Sequence, residues 1–278
     1  MLRQRVITAV VLLLILVASL MAPGPGPFAV LTLVIIAAAG WEWARLNQAG
    51  SAMALGLAAL LGLACAAALA MDWPRRGPEP AWWLAALIWL GGGFVALRGG
   101  PLAWPRLSQA ARLCIGLVGL WAAWLAVAHA RVVGLNFLLS VFCLVWVADI
   151  AAYFGGRAFG KRKLAPSISP GKSWAGVWSG MAGVLVLAVA WVFVDRANGF
   201  SSPSLYTRLI EHFGALGAAL ALVVLSAMSV VGDLVESLVK RAAGAKDSSR
   251  LLPGHGGVLD RIDALLPVFP IALAFAWI

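Results

Sequence analysis

Charge is what this chain has little of. Only 12% of its 278 residues are Asp, Glu, Lys or Arg, against 63% hydrophobic and a mean hydropathy of +0.95. That balance excludes a water-soluble globule with one ordinary core and leaves a polytopic membrane protein. Cysteine is scarce too: Cys65, Cys114 and Cys143 lie far apart inside apolar runs, without the paired spacing of a zinc or redox motif, and read as small packing residues. The net charge of +10 comes from cations scattered through short segments between apolar runs. No soluble basic domain gathers them, which excludes nucleic acid as a partner and points to anionic lipid headgroups and cytoplasmic retention. Internal repeats and a separate soluble domain are likewise absent.

What is present is a series of apolar runs near 6–22, 28–46, 52–71, 81–97, 113–130, 132–152, 174–194, 213–235 and 264–278. Each approaches bilayer-crossing length, so the expected fold class is all-α, a polytopic integral membrane bundle of about nine transmembrane helices. The first run follows Arg3 and Arg5 like a secretory signal, but its length reads as a retained first helix. With a cytoplasmic N-terminus, 16 of the 21 Lys and Arg residues fall on the inside and 5 on the outside, as the positive-inside rule requires. Trp41, Trp43, Trp73, Trp82, Trp83 and Trp174 lie near expected helix ends and read as interfacial anchors. Polar chemistry divides the chain: 1–130 offers little, whereas 131–278 holds nearly all of it, in cytoplasmic loops at 153–173 and 236–263.

Two constellations stand out. On the helix entering the second loop, Asp233, Glu236, Ser237 and Lys240 share one face. Asp260 and Asp263 recur three apart at the start of the last apolar run. Asp233, Asp260 and Asp263 would together make an oxygen-rich pocket for Mg2+, with Asp149 and Glu236 as further ligand candidates. Lys240, Arg241, Lys246 and Arg261 are placed to neutralise nucleotide phosphates, and the Pro253–Gly257 turn, with Gly256 and Gly257, lets backbone N–H groups approach an anion. His255 in that turn is a candidate contact for phosphate or metal-bound water. In the first loop, Lys161, Lys163, Lys172 and Ser173 suit a lipid or nucleotide phosphate. Pro170–Ser173 resembles the end of a P-loop but lacks its earlier glycine, which is Pro166 here.

The run from Ser237 through Lys240-Arg241, Lys246-Asp247, Pro253–Gly257 and Asp260-Arg261-Ile262-Asp263 resembles the signature of the phosphatidate cytidylyltransferases, or CDP-diacylglycerol synthases. The segment from Asp149 through Tyr153, Arg157, Lys161, Lys163, Pro170 and Lys172 to Trp174 is similar to the family as well, so the motifs cover roughly 149–263. The resemblance implies transfer of a cytidylyl group from CTP to phosphatidic acid, with Ser237 and Asp247 among the substrate-binding residues. It also implies Mg2+ with K+ beside it, a homodimer, and a bacterial inner membrane with the active site facing the cytoplasm. Two alternatives stay open: a lipid or ion transporter using Asp149, Asp233 and Glu236 as pathway residues, and a cytidylyltransferase acting on an isoprenoid ether lipid phosphate.

Overall fold

The computed structural model describes residues 2–77 and 79–276, with the side chains of 2–6 and 9 outside the description. Arg3 and Arg5, and the last two residues of the run 264–278, therefore lie outside the described parts. The chain runs through α1 (Leu2–Met21), α2 (Gly26–Leu46), α3 (Ser51–Ala70), a single turn α4 (Trp73–Arg76), α5 (Glu79–Ala103), α6 (Gln109–Val133) and α7 (Leu135–Phe159). A short hairpin follows, β1 (Lys163–Ala165) and β2 (Ser169–Ser173), then α8 (Trp174–Asn198), α9 (Leu205–Ala242), the turn α10 (Leu259–Ile262) and α11 (Leu265–Ala276). Among the described residues, seven helices are long and apolar enough to cross a membrane, and Val10–Met21 is a shorter apolar one. Helices win over sheet here because lipid offers backbone groups no partners, so each span must satisfy its own.

Two glycines reshape what continuous apolar runs suggest. Gly100 and Gly214 both take a φ of 67° and break α5 and α9. A straight 38-residue helix would reach about 57 Å, well beyond a hydrocarbon core of about 30 Å. The break at Gly214 turns Leu205, Tyr206 and Leu209 inward as a buried first arm and leaves the second arm to carry the polar face of Asp233–Lys240. In the last run, the described part of α11 has 12 residues, about 18 Å, and is almost wholly buried against α5, α6, α7 and α9.

α7 and α8 pack closely because their shared face is nearly free of side chains. A Cβ on Gly176 or Gly180 would come within 2.9 Å of the Ala152 or Ala148 carbonyl oxygen. Small residues let backbones approach where no hydrophobic drive brings helices together. Polar ties then mark the two ends of the bundle. At one end Trp104 Nε1 donates to Asn47 Oδ1 (2.9 Å), and Trp43 Nε1 to the Arg112 carbonyl (2.9 Å). At the other, Arg131 reaches the Leu20 carbonyl (3.2 Å), His129 Nδ1 meets the Pro74 carbonyl (2.6 Å), and Asn136 Nδ2 donates to Asp195 Oδ1 (2.9 Å). Trp43 and Trp82 are buried within the bundle, and Trp82 stacks on His129.

Candidate active site

The end of the bundle that holds Asn47 and Trp104 also holds the loops 160–173 and 243–264. Helical spacing does put Asp233, Glu236, Ser237 and Lys240 together on α9, and Ser237 Oγ donates to Asp233 Oδ1 (3.2 Å). Lys240 is the hub. Its Nζ pairs with Glu236 one turn back and with Asp260 Oδ1 at 2.6 Å, across the loop. The other Asp260 oxygen accepts from the Ser248 N–H (2.9 Å), Ser248 Oγ (2.9 Å) and the Gly257 N–H (2.8 Å). Burial alone would raise the Asp260 pKa, but the Lys240 ammonium and these N–H donors more than offset it and hold the carboxyl at about 2.

A second group sits beside the first. Lys172, presented by β2, pairs with Asp233 Oδ2 at 2.7 Å, and Asp149 on α7 lies within electrostatic range of both. Asp263 Oδ1 accepts from the Ala264 N–H (2.8 Å). Burial, with the charge of Asp233 nearby, pushes the Asp263 carboxyl up to about 8. Gly232 permits this approach, since a Cβ there would come within 2.9 Å of the Pro267 ring and closer still to the Asp263 carbonyl oxygen.

The oxygen donors expected as one pocket thus divide. Asp260 is committed to Lys240, Ser248 and Gly257, while Asp233 and Asp263 lie together beside Lys172. Among the described residues no three metal-ligating side chains form a group that could hold an ion. The pair of Asp233 and Asp263 nevertheless suits Mg2+, which takes one or two carboxylates and completes its shell with water and substrate phosphates.

The basic residues divide in the same way. Lys161, Lys163 and Lys246 are exposed around the site, as is Asp247. Arg241 donates through Nε to the Ile168 carbonyl (3.3 Å), tying the hairpin to the end of α9. Arg261 donates through Nε to the His255 carbonyl (3.0 Å) and so braces the Pro253–Gly257 turn. Ser173 is buried as the cap of α8, accepting from the Gly176 N–H (3.2 Å). The His255 ring leaves Nδ1 unpartnered.

Sequence reasoning missed Glu42. This residue of α2, in the half expected to offer little chemistry, is fully buried and accepts four hydrogen bonds from the loop of residues 243–264. The signal was available, because Glu42 is the lone acidic residue in the run 28–46, and an acid in an apolar run is a functional candidate. It also explains the glycine turn. The anions that approach it are the protein's own: a Cβ on Gly257 would come within 2.6 Å of Glu42 Oε1, and one on Gly256 within 2.8 Å of Asp260 Oδ2.

Residues 3–278 match the model of the cytidylyltransferase family. The phosphatidate cytidylyltransferase of Pseudomonas aeruginosa is 41% identical over 290 aligned positions, covering 100% of this chain and 97% of the relative. That of Haemophilus influenzae is 53% identical over 137 positions, 49% of this chain and 44% of the relative. The Staphylococcus epidermidis enzyme is 41% identical over 144, covering 51% and 50%. The chain belongs to the cytidylyltransferase family.

Proposed function

We propose that this family member transfers the cytidylyl group of CTP to phosphatidic acid, giving CDP-diacylglycerol and pyrophosphate. The observation that carries this reading is the convergence of Lys172, Lys240, Asp233, Asp260 and Asp263 at one end of a membrane bundle, in a chain related end to end to phosphatidate cytidylyltransferases. An oxygen of the lipid phosphate attacks the α-phosphorus of CTP; the bond from that phosphorus to the bridging oxygen breaks, and pyrophosphate departs with the electron pair. The nucleophile is an ionised phosphate monoester, so the chemistry needs alignment and charge neutralisation more than a strong base.

Lys240, Arg241, Lys246 and Arg261 surround the CTP phosphates, each keeping donors beyond those it spends on the protein. Lys161, Lys163 and Lys172 on and around the hairpin take the lipid phosphate. Asp233 and Asp263, with Asp149 nearby, would hold Mg2+, which when bound supplies positive charge to the reacting phosphates. Acyl chains remain in the bilayer while the headgroup reaches the polar end. The excess of cations at that end supports a cytoplasmic orientation in the inner membrane, where CTP is available. Purified, detergent-solubilised protein incubated with CTP, Mg2+ and phosphatidic acid should release pyrophosphate and form CDP-lipid. If neither appears while a control enzyme works, the reading fails; turnover confined to an isoprenoid ether lipid phosphate would move the substrate to that class.

A further inference from the structure

We propose that Glu42 is a positioning residue for the nucleotide side of the site, acting through Ser248 on Asp260 and Lys240; this rests on the function proposed above. Glu42 has no exposed surface, and its partners lie 206 to 217 residues away in sequence. Oε1 accepts from Ser249 Oγ (2.5 Å) and the Val258 N–H (2.9 Å); Oε2 accepts from the Leu259 N–H (2.6 Å) and Ser248 Oγ (3.1 Å). All four donors belong to the loop, so α2 holds that loop at both sides of its turn through one side chain.

The arrangement reaches the site by a short path. Ser248 contacts Glu42 and, through both its N–H and its hydroxyl, Asp260 Oδ2. Asp260 in turn holds Lys240 through its other oxygen. A shift of the loop away from Glu42 therefore moves Asp260 and lets Lys240 fall back on Glu236 alone. Chemistry also sets what residue 42 must be. Four donors converge on two oxygens, and an amide of the same shape presents an NH2 group to two of them. Glutamine is thus a poor replacement although it fits the space, whereas aspartate keeps four acceptor positions on a shorter stem.

The test compares wild type, E42Q and E42D, purified in detergent. Loss of a residue that orients functional groups from behind typically costs about 10- to 100-fold. We expect E42Q to lower kcat/KM for CTP by about that factor, chiefly through a raised KM for CTP, with the KM for phosphatidic acid within about twofold of wild type; E42D recovers part of the loss. In parallel, trypsin should cut after the exposed Arg250 faster in E42Q than in wild type, an assay that needs no activity. If wild type makes no CDP-lipid, the functional reading fails, and unchanged cleavage after Arg250 in E42Q sinks the strap by itself. Wild-type kcat/KM for CTP in E42Q, or a fall in kcat with both KM values unchanged, overturns the positioning role.

Discussion

Replacing Asp260 by Asn should loosen the site measurably, and the structure says by how much. Asn has the shape of Asp but one acceptor oxygen, so it must either give up three donors on one side or turn its NH2 group toward the Lys240 ammonium. The second choice costs less, because it sacrifices one hydrogen bond where the first sacrifices those from the Ser248 N–H, Ser248 Oγ and the Gly257 N–H. A hydrogen bond to a charged group is worth about 1.5–3 kcal/mol. The carboxyl's depressed pKa, which reflects the same hydrogen bonds, gives a similar figure. The Asp260 side chain is only 7% exposed, and holding its carboxyl at about 2 against an ordinary 3.8 favours the folded state by roughly 2 kcal/mol at neutral pH. Lys240 keeps Glu236, so the larger penalty of an unpaired buried cation does not apply. Unfolding followed by intrinsic fluorescence in detergent should show Asp260→Asn melting about 4–8 °C below wild type at pH 7. Because the folded pKa is depressed, that contribution is present above the unfolded value of 3.8 and is lost as pH falls from there through the folded value of about 2. The gap should therefore be constant from pH 5 to 8 and shrink steadily below pH 4. Equal melting at pH 7, or a gap that does not narrow in acid, would refute the network; CDP-lipid formation should also drop, since Lys240 loses its partner across the loop.

Asp263 should behave in the opposite sense. Its folded carboxyl is raised, so it holds a proton that the unfolded chain releases, and its contribution to stability falls as pH rises from about 4 toward 8. Asp263→Asn in chelator-treated protein should melt above wild type at pH 8.5 and level with it near pH 4, while losing activity. Adding Mg2+ should raise the wild-type midpoint and leave the variant unmoved; equal responses would remove Asp263 from the metal assignment. Gly257→Ala places a methyl against Glu42 and Ser248, and overpacking of this kind costs about 1–3 kcal/mol. It should depress both midpoint and turnover, and an unaffected variant would contradict the close approach. For orientation, Leu251→Cys on the exposed loop should react with an impermeant thiol reagent only from the cytoplasmic side; labelling from the other side would invert the topology.

The apolar runs placed the long helices because hydropathy over some 20 residues answers one question, whether a segment prefers lipid, and a helix in lipid needs nothing beyond itself. They could not place the breaks at Gly100 and Gly214, since glycine is common in such helices and only packing decides which one bends. Nor could they tell that α11 is almost wholly covered by other helices, because apolar composition is the same in a buried helix and a lipid-facing one. The hairpin of β1 and β2 is too short to leave a periodic signal.

Within the site, spacing alone joined Asp233, Glu236, Ser237 and Lys240, as the helix repeat fixes neighbours three and four apart. The same local reasoning grouped Asp260 with Asp233 and Asp263 as like chemistry. What the carboxyls accept, however, is set by donors brought from elsewhere. Ser248 and Gly257 take Asp260 away from Asp233 and Asp263, β2 brings Lys172 to Asp233, and α2 brings Glu42 to a loop more than 200 residues away. The sequence by itself determined that this is a membrane bundle of the cytidylyltransferase kind. Only the tertiary structure decided which carboxyls hold the loop and which one pairs with Lys172, because hydrogen bonds are short and directional and their partners need not be close in the chain.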